Sequence, residues 1–259
     1  MILSGTYANG FAPRDGQPLY PELWKGCVGA WNPGLGVSGL TLRDQSGFQN
    51  NGTLTNGPTW AANKGKYALS FDGVNDNVDF GANNVLNCTV SLAISMWAKR
   101  NGTSGGAYHA WVQRFSGATV GYQLYVNNSD NIVRFYTNTV LASSYAMSDT
   151  NWHYLCVTNS NSTTSFFIDG IPYGSGSQSL VNVTTATVNN FGVFPGGGFA
   201  NGLMDDIRIY NRALSPQEIR TLASRRGIAY EMAPRRRSSA AVPVTTYSTF
   251  RPSVLRGSR

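Results

Sequence analysis

From about residue 27 to residue 210, short runs of alternating polarity are cut every few residues by tight-turn dipeptides, and this punctuation constrains the fold more than any other feature. The pairs are Asn51-Gly52, Asn56-Gly57, Asp72-Gly73, Asn101-Gly102, Asp169-Gly170 and Asn201-Gly202. These residue types adopt the positive φ angles of two-residue hairpin turns. In the clearest run, Cys88–Trp97, Cys88, Val90, Leu92, Ile94 and Met96 hold one parity and Thr89, Ser91, Ala93 and Ser95 the other. A period of two with small residues on the second face predicts a strand with one face in a core. Similar runs are read at Cys27–Trp31, Tyr67–Phe71, Asn77–Phe80, Tyr108–Arg114, Gly121–Val126, Ile132–Thr137, Trp152–Thr158, Ser165–Asp169, Thr187–Val193 and Gly202–Tyr210. Many short strands in succession predict an all-β antiparallel sandwich of two sheets and not a series of βαβ units.

No ten-residue helical pattern appears before residue 213. Beyond it, Ser215 can cap, Pro216 takes the first helical position and Glu218 completes a Ser-x-x-Glu box, with Ile219, Leu222 and Ala223 on one face. A short helix over Pro216–Ser224 is therefore expected to dock on the sandwich and to end at Arg225, Arg226 and Gly227. Residues 1–24, broken by Pro13, Pro18 and Pro21, and residues 225–259, without sustained periodicity, are expected as extended arms. The chain thus divides into an N-terminal arm (1–24), a sandwich domain (25–214), a docking helix (215–224) and an Arg/Pro/Ser-rich C-terminal arm (225–259).

Charge follows the same division. Residues 1–219 hold 11 Lys/Arg against 12 Asp/Glu, whereas residues 220–259 hold nine arginines against Glu231, so the net +7 belongs to the tail. A chain that is 41% hydrophobic and 13% charged is neither wholly disordered nor a coiled coil. The longest apolar stretch, around Val90–Ala98, is far short of a membrane span, and no membrane partner is expected. Three cysteines without a Cys-x-x-Cys pair give neither a closed disulfide framework nor a zinc ribbon, and all three are expected as free thiols. The start, MILSGTYANG, lacks a basic and a continuous apolar region, so no secretory signal is expected, and the Asn-x-Ser/Thr sequons are expected to stay unglycosylated.

Three blocks carry a resemblance: LRDQSGFQNNGTL at Leu42–Leu54, YALSFDGVNDNVDF at Tyr67–Phe80, and GLMDDIRIYNRAL at Gly202–Leu214 followed by the helix start. With Ser95–Trp97, Asn151–Tyr154 and Ile168–Gly170 they resemble, in order, the signature blocks of laminin G-like, concanavalin A-like jelly rolls over roughly Cys27–Leu222. The resemblance implies a jelly-roll sandwich whose last strand lies beside the first, with a calcium ion near the edge in many members. Asp44, Asp205 and Asp206 are then the candidate ligands, with Asp72 and Asp76 as second choices. Oxygen ligands suit Ca²⁺. Strict alternation along Gly202–Tyr210 puts Leu203, Asp205, Ile207 and Ile209 on one face and Met204, Asp206, Arg208 and Tyr210 on the other. One of the two carboxylates then faces the core side and needs partners.

Glucanases of this general class use paired carboxylates on a strand, about 5–5.5 Å apart for retaining chemistry. Here the glutamates are only Glu22, Glu218 and Glu231, none of them in a predicted strand. The Gln-x-His strand that alginate lyases of the same fold resemble is absent around His109 and His153, and there is no Gly-x-Ser-x-Gly elbow. The chain is read as non-enzymatic.

Two kinds of binding remain. Sugar sites combine aromatic platforms with polar hydrogen bonding, and Tyr108, Trp111 and Tyr122 are the candidates for glycan contact, among further tyrosines at 125, 136 and 145. Assembly is the other kind. The C-terminal arm sets Tyr247, Phe250 and other apolar anchors among Arg235, Arg236, Arg237 and Arg251, a composition that orders against a partner and not alone. The flanks Phe11–Gly36 and Arg225–Ser239 look like those of laminin G-like proteins encoded by bacteriophages. That similarity implies a virion structural protein, a capsid decoration or tail-associated component made in the host cytoplasm. Its partners would be the major capsid protein or tail subunits, with the protein assembled as a homo-oligomer and displaying the jelly roll to surface glycans. The alternative is a soluble lectin-like module with disordered tails. Nucleic acid is the weaker partner, because the arginine cluster is short and has no accompanying aromatic repeat.

Overall fold

The computed structural model describes residues 20–228, apart from 64–65, 117–118, 184–187 and 195–196. Pro18–Ala233 forms one of two units of the chain; the other, Met1–Gln17 with Pro234–Arg259, lies outside the described residues.

The chain enters through a one-turn helix, α1 (Pro21–Trp24), then β1 (Cys27–Trp31), β2 (Thr41–Leu42), β3 (Gly52–Thr55), β4 (Thr59–Asn63), β5 (Lys66–Asp72) and β6 (Asn77–Asp79). The long middle strands are β7 (Ser91–Arg100), β8 (Tyr108–Ser116), β9 (Thr119–Asn127), β10 (Ile132–Tyr136), β11 (Val140–Ala146), β12 (Trp152–Ser160), β13 (Thr163–Ile168) and β14 (Ile171–Ser177). They are followed by β15 (Val188–Phe191), the small hairpin β16 (Val193–Phe194) and β17 (Gly198–Phe199), β18 (Asn201–Tyr210) and helix α2 (Pro216–Ala223). All pairings are antiparallel. The first sheet runs β14-β13-β12-β7-β18-β5-β4 with β1 also on β18, and the second runs β11-β10-β9-β8-β15-β6-β3-β2. The architecture is the expected two-sheet jelly-roll sandwich with one short C-terminal helix.

Between the sheets lies one continuous apolar core, with Leu92, Ile94 and Met96 from β7 facing Leu124, Val126, Val133 and Phe135 from the second sheet. Trp31, Phe80 and Phe191 meet within it at ring separations of 4.6–5.2 Å, edge-on or tilted. Each such pair adds about 0.5–1.5 kcal/mol beyond its buried area.

The other face of the first sheet is covered too. Ala93, Tyr154, Cys156 and Tyr210 pack under Leu23 of α1, Ile219 and Leu222 of α2, and Ile228. Two expected boundaries are corrected by this second layer. The arm placed over residues 1–24 includes a helical turn with a fully buried Leu23, and the arm placed from 225 begins with a buried Ile228. Both segments are held because each contributes an apolar side chain to the layer, a contribution too short to show periodicity. The α2 capping box forms as read, with the Ser215 hydroxyl accepting from the Glu218 amide and Glu218 returning a bond to Ser215. Cys27, Cys88 and Cys156 are free and buried, as expected.

The sharpest departure from simple alternation is in β18. Against β7, Asp205 pairs with Trp97 but Arg208 pairs with Ser95, so β18 carries one extra residue, and Asp206 takes φ 48°. This bulge reverses the parity. Met204, Ile207 and Ile209 share the inner core, while Tyr210 faces the helices. The alternation drawn through Leu203–Tyr210 from sequence is therefore wrong beyond Asp205. On its other edge β18 changes partner at the same place, from β5 (up to Met204) to β1 (from Ile207).

Candidate functional site

The acidic residues expected to bind calcium serve as internal ties. Asp44 accepts from the Ala30 amide (2.9 Å), the Ser46 amide (2.8 Å), the Ser46 hydroxyl (2.7 Å) and the Asn50 amide (2.9 Å). Four donors occupy the roughly four lone-pair sites a carboxylate offers. Asp205 accepts from the amides of Asp206 (2.8 Å) and Gly34 (3.3 Å), at the point where β18 changes partner, and its second oxygen lies 3.6 Å from Arg226. Burial, with the neighbouring Asp206 charge, pushes its carboxyl up to about 7. Asp206 holds Arg208 through Nε (2.8 Å) and Nη2 (2.7 Å), both side chains buried. In the neighbouring turn Asp72 accepts from the Val74 amide and Asp76 from the Asp72 amide. Among the described residues no three His, Cys, Asp or Glu side chains group as a metal site would need. This donor set does not fit calcium.

The two histidines sit in opposite surroundings. His109 is fully buried; burial and Arg100 depress it to about 3, so it is neutral, and its Nε2 accepts from the Asn201 amide at 3.3 Å. His153 lies between Asp169 (Nδ1, 2.7 Å) and Asp149 (Nε2, 3.0 Å), with the Tyr145 hydroxyl beside both ring nitrogens. Its pKa is raised by the bond to Asp169, against burial, and then by Asp149.

The aromatic candidates part company. Trp111 and Tyr122 are at most 1% exposed and belong to the inner core, so neither can stack on a sugar. Alternation from the outward Tyr108 already turns Trp111 inward, and at the bulge between Ala110 and Val112 the next residue, Val112, follows it into the core. Tyr122 shares its face with Leu124 and Val126, and its hydroxyl donates to the Leu86 carbonyl. Tyr108 is half-buried on the outer face of the second sheet. There it meets Phe194 (4.5 Å between ring centroids) and Tyr125 (5.3 Å), and Phe194 also touches Tyr125 (5.1 Å). The β16–β17 hairpin delivers Phe194 to this cluster. The predicted arm residues Arg235, Arg236, Arg237, Tyr247, Phe250 and Arg251 lie outside the described residues.

Beside the aromatic cluster, register aligns a polar row that alternation alone does not single out. Asp79 pairs with Asn190, Asn190 with Gln113, Gln113 with Gln123, and Gln123 with Tyr136. Their inward-pointing strand neighbours are Val78, Phe191, Val112 and Leu124, so the row itself lies on the outer face. Asn190, Gln113 and Gln123 are at most 7% exposed, yet Asn190 Oδ1, Gln123 Oε1 and both amide atoms of Gln113 have no hydrogen-bond partner. A buried polar atom left unpaired costs about 1–3 kcal/mol. The signal in sequence is two glutamines and an asparagine placed mid-strand among apolar residues, where a solvated strand face would more often carry Thr or Lys.

A match to the family model for the laminin G-like, concanavalin A-like lectin/glucanases superfamily covers residues 72–220. No curated protein sequence matches the chain. Among solved structures, a mutant of Trypanosoma rangeli sialidase displaying trans-sialidase activity aligns with TM-score 0.62 at 15% identity over 81% of this chain and 34% of that one. The binding domain of Paraclostridial Mosquitocidal Protein 1 aligns with TM-score 0.61 at 17% identity, covering 78% of this chain and 52% of that one. The W1252A mutant of HCR D/C VPI 5995 gives 0.60 at 13%, with the same coverage. This chain therefore spans between a third and about half of the length of those structures, and at these identities the likeness is one of fold.

Proposed function

The chain belongs to the concanavalin A-like lectin/glucanase superfamily, and on that premise we propose that it is a non-catalytic carbohydrate-binding module whose site is the outer face of the second sheet. The observation that carries this reading is the pairing of an aromatic cluster (Tyr108, Tyr125, Phe194) with a row of carboxamides that have unpartnered atoms. Aromatic rings supply flat apolar area, and carboxamides supply both donors and acceptors, the complement that sugar hydroxyls need. The row is closed to solvent as it stands, so binding requires side chains to move, an ordinary response of an interface to its ligand.

A binding role is favoured over a catalytic one by the charge on that face. Most glycosidases use two cooperating carboxyl groups about 5–10 Å apart, whereas register places Asp79 as the single carboxylate there among the described residues.

The test is a glycan microarray on the full-length protein, followed by titration of the best ligand against Tyr108→Ala and Phe194→Ala. Each variant is expected to bind at least about tenfold more weakly, the equivalent of 1.4 kcal/mol, with its melting point within a few degrees of the parent. Unchanged affinity in both variants would remove this face as the site.

A second reading, display of the module on a virus particle, rests on the segregation of nine arginines into residues 220–259. Its partners would be capsid or tail subunits. Deleting residues 234–259 is expected to abolish incorporation into particles while sparing the fold of Pro18–Ala233; normal incorporation would end this reading.

A further inference from the structure

Resting on the carbohydrate reading above, we infer that this face takes neutral oligosaccharides and discriminates against carboxylated or sulfated ones. From β2 across to β11, register places only two charged residues on it among those described, Asp79 and Arg134. Arg134 is not free to meet an anion. Its Nη1 donates to one oxygen of Asp130 at 2.8 Å and its Nη2 to the other at 2.5 Å, with a further contact from Nη1 to the Ile132 carbonyl. The two-pronged pair engages the guanidinium edge that would otherwise grip a ligand carboxylate or sulfate. Asp130 is held down to about 2, first by its bonds to Arg134 and to the Ile132 amide, so the pair persists across the physiological range. At the far end of the row Asp79 is exposed, with the Gly81 amide on one oxygen, and its charge repels an anionic sugar.

What remains is uncharged. Asn190, Gln113 and Gln123 sit on adjacent strands, and Tyr136 continues the row on the next. With neighbouring strands about 4.8 Å apart, the row from Asp79 to Tyr136 spans roughly 19 Å. That length suits an oligosaccharide laid across the strands better than a single sugar, and Tyr125, two residues from Gln123 on β9, brings the Tyr108–Phe194 pair to one side of it.

The experiment uses the full-length protein on an array of matched pairs, neutral oligosaccharides beside their sialylated or sulfated counterparts. The best pair is then titrated at about 0.05 M and about 0.5 M salt, conditions between which exposed charges are progressively screened. Neutral members are expected to bind at least about tenfold tighter, with an affinity that salt changes by less than about twofold. In Asp130→Asn, which releases Arg134, the preference is expected to shrink. Equal or tighter binding of the anionic members overturns the inference while leaving the carbohydrate reading in place. An unchanged preference in Asp130→Asn overturns the Arg134 pairing as its cause. Silence across both kinds of glycan removes the carbohydrate reading and this inference together.

Discussion

At the scale of residues, the aspartates most visible in the sequence are structural. Asp206 and Arg208 form a buried pair, 4% and 2% exposed, and removing one partner strands the other. Breaking such a pair costs about 3–5 kcal/mol. Asp206→Ala is therefore expected to be strongly destabilised in chemical denaturation, whereas a loss that is reversed by added calcium would revive the metal reading. His153 gives a pH dependence of definite sign. Its folded pKa is raised above the unfolded value near 6.5, so its contribution is fully present below that pH and is lost as pH rises through the folded value. The melting-point advantage of the parent over His153→Gln should accordingly shrink between pH 6 and pH 8.5; a growing advantage contradicts the assignment. The carboxamides show where residue-level reading falls short. Gln113, Gln123 and Asn190 stand out singly as carboxamides in mid-strand, but only pairing, a property of distant segments, brings them into one row.

At the scale of elements, strands rich in apolar residues are located and those poor in them are missed. Cys27–Trp31 is found with its observed bounds, since every residue in it is buried. Edge strands β11 and β14 escape because their side chains are largely exposed or small and leave little apolar period to read. The run begun at Cys88 starts instead at Ser91; Val90, counted as an inward residue, is 84% exposed, so parity of hydrophobicity overran the strand. Both bulges, at Ala110–Val112 and at Asp205–Asp206, are invisible to a two-residue period; the first puts Val112 inward and Gln113 outward, and the second reverses the parity of β18 beyond Asp205. The helix was legible because its signals are local. Ser215→Ala should cost about 1 kcal/mol through the lost cap. Ile228→Ala should cost about 2–5 kcal/mol if its side chain completes the second layer, as an Ile truncated in a packed core does. A change under 0.5 kcal/mol for Ile228→Ala would return residues 225–228 to the arm.

For the whole molecule, the two outer faces of the sandwich carry different residues. The outer face of the first sheet packs under α1, α2 and Ile228 where β1, β7, β12 and β18 lie. The outer face of the second sheet carries the aromatic cluster and the carboxamide row. The fold was readable from the ordered blocks, whereas the proposed binding face was only partly so: Tyr108 lies on it, Trp111 and Tyr122 do not, and the polar row depends on cross-strand register. The most direct test of this account is mapping of backbone amide shifts in the isotope-labelled protein on titration with a neutral oligosaccharide that it binds. The account predicts that the largest shifts fall on Tyr108, Gln113, Gln123, Tyr125 and Tyr136. Shifts concentrated instead around Asp44, Asp205 and the Pro33–Leu35 turn would contradict it.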